Sequence, residues 1–289
     1  MSNKYIDVEK VLREKAPRFY KLIPKFLIRY VKKTLHEDDI NDVMSKIGHL
    51  KDLDFNDAVL KELDAKVQII GLENIPPSES VIIAANHPLG GLDGMALIKA
   101  VSQKRKDIKF IVNDILLKLT NYSGIFVGVN KLGNTPKNAL IEVEKVFASD
   151  NVILFFPAGL VSRKQKIKGQ WIIQDLTWNK TFVQKAIQYS KPIIPTFIEG
   201  KNSSFFYNFS YWRKKLGIKA NLEMLFLPDE MFKQKHQTIN IYFGKPIYPS
   251  ILNNLKNYTE WANIIKEYVY SGNIQKGISF EAYLKSKNE

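Results

Sequence analysis

The sequence predicts an α/β fold: a mixed, largely parallel central sheet flanked by helices, with an N-terminal helical segment. From residue 67 onwards, short apolar runs alternate with stretches of helical periodicity, as they do where helices connect the parallel strands of a sheet. Before that point the periodicity is helical alone. The hydrophobic fraction of 45% in 289 residues is large enough to fill a sizeable core, which excludes a disordered chain.

We expect residues 1–65 to form the N-terminal helical segment and residues 66–289 to form the main domain. Apolar residues between Phe19 and Val31 recur at steps of three and four, and lysine and arginine side chains cluster on the opposite side. Pro24 starts or kinks the second part of this stretch. Such a basic amphipathic stretch either lies on a membrane surface or packs on the main domain with its basic face in solvent.

In the main domain, strands and helices follow one another along the chain. The apolar runs expected to form strands are Val67–Ile70, Val81–Ala85, Ile108–Val112, Ile125–Val129, Val152–Phe156, Ile193–Ile198, Leu222–Leu227 and Thr238–Phe243. The stretches expected to form helices are Met95–Gln103, Pro136–Ser149, Asn179–Tyr189 and Glu260–Tyr270. No internal repeat or long linker interrupts this order.

The chain is strongly basic. It carries 43 lysine and arginine residues against 29 aspartate and glutamate residues, a formal net charge of +14. Such a charge attracts polyanions, which include nucleic acid, anionic lipid headgroups and acidic proteins. The alternative is that the excess of lysine reflects base composition, since asparagine and isoleucine are abundant as well.

Several kinds of site are excluded by residues that are rare or missing. The absence of cysteine excludes thiol nucleophiles, disulfides and cysteine-ligated zinc, and it agrees with a reducing compartment. No two of the four histidines lie at metal-ligand spacing, so no metal site is expected. The sequence has neither a secretory signal core nor an apolar run of the ~18 residues that span a bilayer. We therefore expect a cytoplasmic protein, peripheral on the inner face of the cell membrane.

The most informative segment runs from Val81 to Gly94, where an apolar run of strand character delivers His87 into a turn rich in proline and glycine. Asp93 follows where the next helix should begin. Imidazole exchanges protons near neutral pH, and a nearby carboxylate can fix its tautomer and stabilise the imidazolium. Open α/β sheets also place their ligands at such strand ends. We interpret the pair as a general base and its orienting acid; the alternative is that Asn86 and Asp93 are ordinary turn and N-cap residues.

Three further segments place polar residues at the end of a strand: Asn121–Lys131, Val152–Arg163 and Lys191–Gly200. Arg163 offers a planar fork of donors that suits phosphate or carboxylate, and a solvated loop charge is the alternative. Four such strand ends suit one shared cleft better than four unrelated turns.

On these residues the chain resembles the glycerolphosphate (PlsC-like) acyltransferases. The hallmark of that family is a histidine and an aspartate separated by a short spacer after an apolar strand. The order of the family's motifs is kept in Asn86–Asp93, Gly124–Asn130, Phe156–Arg163 and Ile194–Pro195. The resemblance covers residues 65–250.

The departures from the family pattern indicate a subgroup. The spacer after His87, five residues long, is one residue longer than usual. Ala158 and Leu160 stand where a glutamate and a threonine are usual, and Asn130 with Lys131 stands where an arginine contacts the acceptor phosphate. These features resemble the hemolysin-like subgroup, which is similar to O-acyltransferases that make ornithine- and glycine-type aminolipids. The implied acceptor is a lyso-aminolipid, with 1-acyl-glycerol-3-phosphate as the alternative.

The resemblance implies transfer of a fatty acyl group from a thioester, carried by acyl carrier protein or coenzyme A, to the hydroxyl of a lyso-lipid at an anionic membrane surface. His87 would act as the general base, held by Asp93, without a metal or a bound cofactor. Amides of the Gly90–Gly91 turn would stabilise the oxyanion. The residues assigned to substrate binding are Asn86, Gly90, Gly91, Asn130, Lys131, Pro157, Gly159, Ser162, Arg163 and Glu199.

Three other functions compete with this interpretation. A serine hydrolase is disfavoured because no Gly-x-Ser-x-Gly elbow is present. A nucleic-acid-binding protein is suggested by the charge and by the aromatic segment Phe205–Lys215, but we expect those aromatic residues in the core or lining an acyl groove, and we expect no nucleic-acid partner. A non-catalytic membrane scaffold is disfavoured because His87 and Asp93 are both present.

Overall fold

The computed structural model describes residues 4–15, 17–113, 115–128, 136–253 and 255–288. The strands are β1 (Lys66–Ile70), β2 (Val81–Ala85), β3 (Ile108–Val112), β4 (Phe126–Gly128), β5 (Val152–Phe155), β6 (Arg163–Ile167), β7 (Gln170–Gln174), β8 (Ile193–Ile198) and β9 (Thr238–Phe243). The helices are α1 (Val8–Lys15), α2 (Pro17–Tyr20), α3 (Lys25–Thr34), α4 (Glu37–Ile47), α5 (Asp52–Glu62), α6 (Gly91–Ser102), α7 (Pro136–Ala148), α8 (Thr181–Gln188), α9 (Ser204–Lys215), α10 (Leu227–Lys233), α11 (Tyr258–Tyr270) and α12 (Phe280–Asn288).

Seven of the described strands form one sheet in the order β1-β9-β8-β2-β5-β3-β4. Strands β8, β2, β5, β3 and β4 are parallel to one another, whereas β9 runs antiparallel to β8 and β1 runs parallel to β9. In the register, Ile83 of β2 lies opposite Leu154 of β5 and Ile194 of β8. The carboxyl ends of the five parallel strands therefore share one edge of the sheet. This architecture confirms the predicted mixed, largely parallel α/β fold.

Hydrophobic cores cover both faces of the sheet. All five residues of β2 are buried, and they alternate between the two faces because successive strand side chains point in opposite directions. Ile83 lies in a cluster with Phe55 of α5 and Leu97 of α6, and Ile82 lies in a second cluster with Phe182 of α8 and Ile265 of α11. Strand β2 is thereby held rigidly at the centre of the molecule.

The N-terminal helices are held together by a buried carboxylate. Glu37 is only 1% exposed, and it accepts hydrogen bonds from the Val8 backbone and from Lys4, both at 3.0 Å. In α3, by contrast, Ile28 is the buried residue, and Phe26 is 71% exposed. Within the residues that the structure describes, no helix has both the length and the apolar character needed to cross a membrane.

One strand prediction is wrong, and strands β6 and β7 and helices α9, α10 and α12 were not predicted. The run Leu222–Leu227 forms a 3₁₀ helix at Leu222–Phe226 followed by α10. Its buried residue is the charged Glu223, while Leu222 and Leu225 are exposed, so the run lacks the apolar inner face of a strand. The hairpin β6–β7 and helix α9 were missed because neither shows a clear apolar periodicity. The end of the predicted strand Ile125–Val129, at Val129, lies outside the described residues.

Candidate active site

The site is built on the turn that joins β2 to α6, at the carboxyl edge of the sheet. Strand β2 ends at Ala85, His87 follows in the turn, and α6 begins at Gly91. Gly90 has a φ of +89°, a conformation that L side chains rarely adopt. A Cβ at this position would also lie 3.1 Å from Leu227 of α10. Glycine is therefore required at position 90 for the turn to bring the next helix back toward His87.

The structure brings His87 and Asp93 into direct contact. The Nδ1 atom of His87 lies 2.8 Å from Oδ2 of Asp93, and the same oxygen accepts backbone hydrogen bonds from Leu89 at 2.7 Å and Gly90 at 3.0 Å. An acceptor at Nδ1 fixes the tautomer that carries its proton there, so the lone pair of Nε2 is left available. Among the described residues, no hydrogen bond involves Nε2. This is the geometry of a general base and its orienting acid.

Asp93 is completely buried. Burial raises the pKa of the Asp93 carboxyl, and the hydrogen bond from His87 acts in the opposite direction. Its Oδ1 atom has no hydrogen-bond partner among the described residues. A carboxylate in this position can hold the orientation of the neighbouring imidazole ring during proton transfer.

An aromatic wall lines the site on the side of β5 and β3. The imidazole of His87 is 16% exposed and stacks on Phe156, with 4.2 Å between ring centroids. Phe156 contacts Phe110 at 5.2 Å, and Phe110 contacts Phe126 at 5.9 Å. Helix α6 packs against this wall at Gly94, where a Cβ would lie 3.1 Å from Phe110. The glycine therefore lets the backbone of α6 come close to the Phe110 ring. The row joins the imidazole to the hydrophobic core on this face of the sheet.

The backbone of His87 is held by a second buried carboxylate. Asp175, which is fully buried, accepts hydrogen bonds from the His87 amide at 3.2 Å, the Ser162 hydroxyl at 2.6 Å and the Trp178 indole at 2.8 Å. The Ser162 amide in turn donates to the His87 carbonyl at 2.8 Å. The backbone amide of Asp175 donates to the Tyr270 hydroxyl of α11 at 2.9 Å. The turns after β2 and β5 are thus joined through Asp175.

Arg163 is held inside the protein. Its guanidinium donates to Glu223 at 2.9 Å and to the Val161 carbonyl at 2.5 Å, and it lies over the ring of Phe206. Glu223 is fully buried and also pairs with Arg213, at 2.6 Å. Burial lowers the pKa of the Arg163 guanidinium. Since the charge of Arg163 is already matched by Glu223, contact with a substrate headgroup would require that ion pair to open.

The remaining predicted site residues differ in their surroundings. Both polar atoms of the Asn86 side chain bond to the Ile198 backbone, at 2.9 Å and 2.6 Å, which fixes the start of the His87 turn to β8. Glu199 is exposed and accepts a hydrogen bond from Asn240 at 2.8 Å.

Pro157 is buried and Gly159 is exposed in the turn after β5. Gly91 is also exposed, and a Cβ there would meet no atom within 4 Å. Asn130 and Lys131 lie outside the described residues.

Two features of the site were not foreseen in the sequence. The stacking of Phe156 on His87 depends on the pairing of β2 with β5, which places residues about seventy positions apart side by side. Glu223 was assigned to a strand, and no local signal connects it with Arg163, which lies 60 residues earlier in the chain.

The fold and the site together describe a class of protein: an α/β protein with a histidine in contact with a buried aspartate at the carboxyl edge of its sheet. A family model described as Acyltransferase matches residues 10–275. The chain therefore belongs to this family and is an acyltransferase, which confirms the resemblance inferred from its motifs.

Curated relatives match nearly the whole chain. A lyso-glycine lipid O-acyltransferase of Bacteroides thetaiotaomicron is 42% identical over 266 residues, which cover 92% of this chain and 96% of the relative. A second lyso-glycine lipid O-acyltransferase, from Phocaeicola vulgatus, is 42% identical over 270 residues, with coverage of 92% and 94%. Among solved structures, the 1-acyl-sn-glycerophosphate acyltransferase PlsC from Thermotoga maritima aligns with a TM-score of 0.45 and 19% identity over 87% of this chain and 92% of that chain.

Proposed function

We propose that the protein is a membrane-lipid O-acyltransferase that moves a fatty acyl group from an acyl thioester to the hydroxyl of a lyso-aminolipid of the glycine type, with His87 as general base. The observation that carries this proposal is the 2.8 Å contact between His87 Nδ1 and Asp93, which leaves Nε2 available. The acceptor is supported by the 42% identity to two lyso-glycine lipid O-acyltransferases over nearly their full length.

In the proposed reaction, Nε2 of His87 removes the proton from the acceptor hydroxyl as its oxygen attacks the thioester carbonyl carbon. The new C–O bond gives a tetrahedral intermediate, which collapses as the C–S bond breaks. The imidazolium then returns its proton to the departing thiolate, so the products are an ester and a thiol. Asp93 stabilises the imidazolium through both steps.

The proposed oxyanion donor is the amide of Gly91. The sequence suggested both amides of the Gly90–Gly91 turn, but the Gly90 amide donates to Asp93 Oδ2 at 3.0 Å and is thereby engaged. Gly91 is exposed at the first residue of α6, where backbone amides have no partner within the helix. The positive end of the helix dipole adds to the stabilisation of an oxyanion there.

The acyl donor and the membrane surface are also part of the proposed function. The donor is acyl-acyl carrier protein or acyl-coenzyme A, which present the same thioester. The protein is proposed to act at an anionic membrane on the inner face of the cell membrane. Supporting this, helix α3 and the residues before it expose Leu22 at 80%, Phe26 at 71% and Tyr30 at 53% beside lysine and arginine side chains. An exposed apolar face flanked by basic residues suits an anionic lipid surface.

The test is an acylation assay with purified protein, lyso-glycine lipid and each thioester in turn, with lipid products identified by mass spectrometry. We expect His87→Ala to lower kcat by about a thousandfold or more, because proton transfer is lost, while circular dichroism stays that of wild type. Asp93→Asn should lose several powers of ten as well. A His87→Ala protein with near wild-type turnover would remove the proposed base.

The chain offers a matched control. His236 also places Nδ1 beside a carboxylate, at 2.9 Å from Asp64, but this pair lies at the surface, with the His236 side chain 75% exposed. His236→Ala should keep wild-type turnover. If lysophosphatidate were acylated and lyso-glycine lipid were not, the acceptor assignment would be wrong while the role of His87 would stand.

A further inference from the structure

A second exposed surface lies beside the active site, separate from α3. It is formed by the hairpin β6–β7 and by the last turn of α9 with the residues that follow. We name it the hairpin–α9 surface. Its exposed residues are Lys166, Ile167, Lys168, Trp171, Ile173, Trp212, Lys214, Lys215, Leu216, Ile218 and Lys219. The two elements are in contact, since Trp171 packs on Tyr211 at 5.2 Å and Lys164 donates to Asn208 at 2.9 Å.

The apolar side chains of this surface are large and unusually exposed. Trp171 is 49% exposed, Trp212 54%, Leu216 73% and Ile218 41%. Neither Arg163–Ile173 nor Ser204–Lys219 contains an acidic residue.

Lysines flank both tryptophans: Lys164 lies 5.1 Å from the ring of Trp171, and Lys215 lies 4.8 Å from that of Trp212. Exposed tryptophan among lysines is the composition that favours the headgroup level of an anionic bilayer.

The hairpin–α9 surface is connected directly to the catalytic turn. Strand β6 begins at Arg163, and the preceding residue, Ser162, bonds to the His87 carbonyl at 2.8 Å. Glu223, in the 3₁₀ helix that follows this surface, ties Arg163 of β6 to Arg213 of α9. The surface is therefore fixed with respect to His87.

The surface is also linked to α3 through α10. Leu227 of α10 packs against Gly90, since a Cβ on Gly90 would lie 3.1 Å from the Leu227 side chain. Phe232 of the same helix stacks on His36, with 4.1 Å between ring centroids, and His36 follows α3. Helix α10 thus touches the catalytic turn and the residue that precedes α4, while the 3₁₀ helix before it packs on α9.

We propose that the hairpin–α9 surface is a second membrane-contact site, which binds an anionic lipid surface with Trp171 and Trp212 at the headgroup level. This inference rests on the proposed function, because the acceptor is a membrane lipid. With α3 it would make two membrane contacts, both connected to the catalytic turn, and these would hold His87 near the bilayer in which the lyso-lipid lies.

The four tryptophans allow a direct test. Trp171 and Trp212 are exposed, whereas Trp178 and Trp261 are 1% and 3% exposed. Vesicles of phosphatidylcholine with phosphatidylglycerol, added to the full-length protein, should shift the tryptophan emission to the blue, and bromine-labelled lipid should quench it. The double variant Trp171→Phe/Trp212→Phe should lose both effects, because the two remaining tryptophans lie in the core.

A charge reversal tests the lysines. Lys166→Glu/Lys168→Glu should weaken vesicle affinity by about tenfold or more. The matched control is Lys106→Glu, an exposed lysine just before β3 at the opposite edge of the sheet, which should bind as wild type does. Unchanged emission with anionic vesicles, or equal affinity of the hairpin variant and the control, would overturn the inference.

Two further readouts separate this inference from the proposed function. If the wild-type protein acylates lyso-lipid in detergent but shows no tryptophan quenching on vesicles, the membrane contact alone is wrong. If quenching occurs without acylation in detergent, the proposed function fails and the contact stands. A change in emission caused by acyl carrier protein or by an oligonucleotide, and not by vesicles, would assign the surface to another occupant and overturn the proposal.

Discussion

At the scale of single residues, His87 is positioned twice, through its ring by Asp93 and through its backbone by Asp175. The ring contact sets the tautomer. The backbone contacts fix the peptide on both sides, with the amide held by Asp175 and the carbonyl held by Ser162. Since a displacement of about 1 Å in a catalytic group can lower turnover a hundredfold, we expect Asp175 to act as a positioning residue if His87 is the base.

We expect Asp175→Asn to lower kcat by about tenfold to a hundredfold with little change in the KM for lyso-lipid, because His87 is displaced while the substrate surface is kept. Steady-state kinetics with both substrates measures this split. The control is Trp178→Phe, which removes one donor to the same carboxylate but keeps the bond between Asp175 and His87. Equal losses of kcat in the two variants would mean that Asp175 only stabilises the fold.

At this scale, the sequence predicted the contacts between residues that lie within one turn of the chain. The His87–Asp93 pair was foreseen because a glycine-rich turn between a strand and a helix brings those positions together. The partner of Arg163 was not foreseen, because Glu223 reaches it only through the packing of the 3₁₀ helix and α9 against β6. Long-range ion pairs have no signature in a single sequence.

At the scale of secondary-structure elements, Glu223 joins three pieces of chain. It lies in a 3₁₀ helix and binds Arg163 of β6 and Arg213 of α9. Burial alone would raise the pKa of the Glu223 carboxyl, but its own backbone amide and the charges of Arg163 and Arg213 hold it below its ordinary value. Removing this charge would leave two buried guanidinium groups without their partner.

We expect Glu223→Gln to destabilise the protein by about 3–5 kcal/mol at neutral pH. Because the folded-state pKa of Glu223 is depressed, its contribution is complete above the ordinary value of 4.5 and is lost as pH falls through the folded-state pKa. Thermal unfolding of wild type and Glu223→Gln, measured from neutral to acidic pH, should show the difference in their stability shrinking as the pH falls below 4.5.

The control for this experiment is Glu62→Gln, an exposed residue at the end of α5, which should match wild type throughout. If the difference in stability between wild type and Glu223→Gln stayed constant at acidic pH, the ion-pair explanation would be wrong.

The elements that the sequence predicted correctly are those with one clear pattern, either a helical periodicity or a nearly unbroken apolar run. Buried parallel strands such as Val81–Ala85 and Ile193–Ile198 are apolar except for Thr196, and they were recognised. The run at Leu222–Leu227 is also mostly apolar in composition, but its hydrophobic residues are exposed or half-buried. Apolar composition without alternation does not distinguish a strand from a short helix, so tertiary packing decides.

At the scale of the whole molecule, the net charge of +14 is not spread evenly. The stretch Lys21–Lys33 and the hairpin–α9 surface are both rich in lysine and poor in carboxylates, and both carry exposed apolar side chains. This distribution favours a lipid surface over nucleic acid, because a nucleic-acid site has no need for exposed Leu22 or Leu216.

We expect the protein to bind vesicles that contain phosphatidylglycerol, and to bind them more weakly as salt is raised. Going from about 0.1 M to about 1 M salt shortens the Debye length from about 10 Å to about 3 Å, so most of the electrostatic attraction is screened. Vesicle sedimentation at increasing salt measures this. Single-stranded and duplex oligonucleotides should not compete at physiological salt; displacement of the protein from vesicles by either would support the nucleic-acid alternative.

The central position of β2 has a consequence for synthesis of the chain. Ile83 pairs with Ile194 of β8, so this flank of the strand stays without its neighbour until more than a hundred further residues have been made. At about 5–20 residues per second, the delay lasts about 5–20 s. During that interval an apolar strand edge is open to pairing with other nascent chains. Chaperones that bind nascent chains at the ribosome would have to shield this edge until β8 is made.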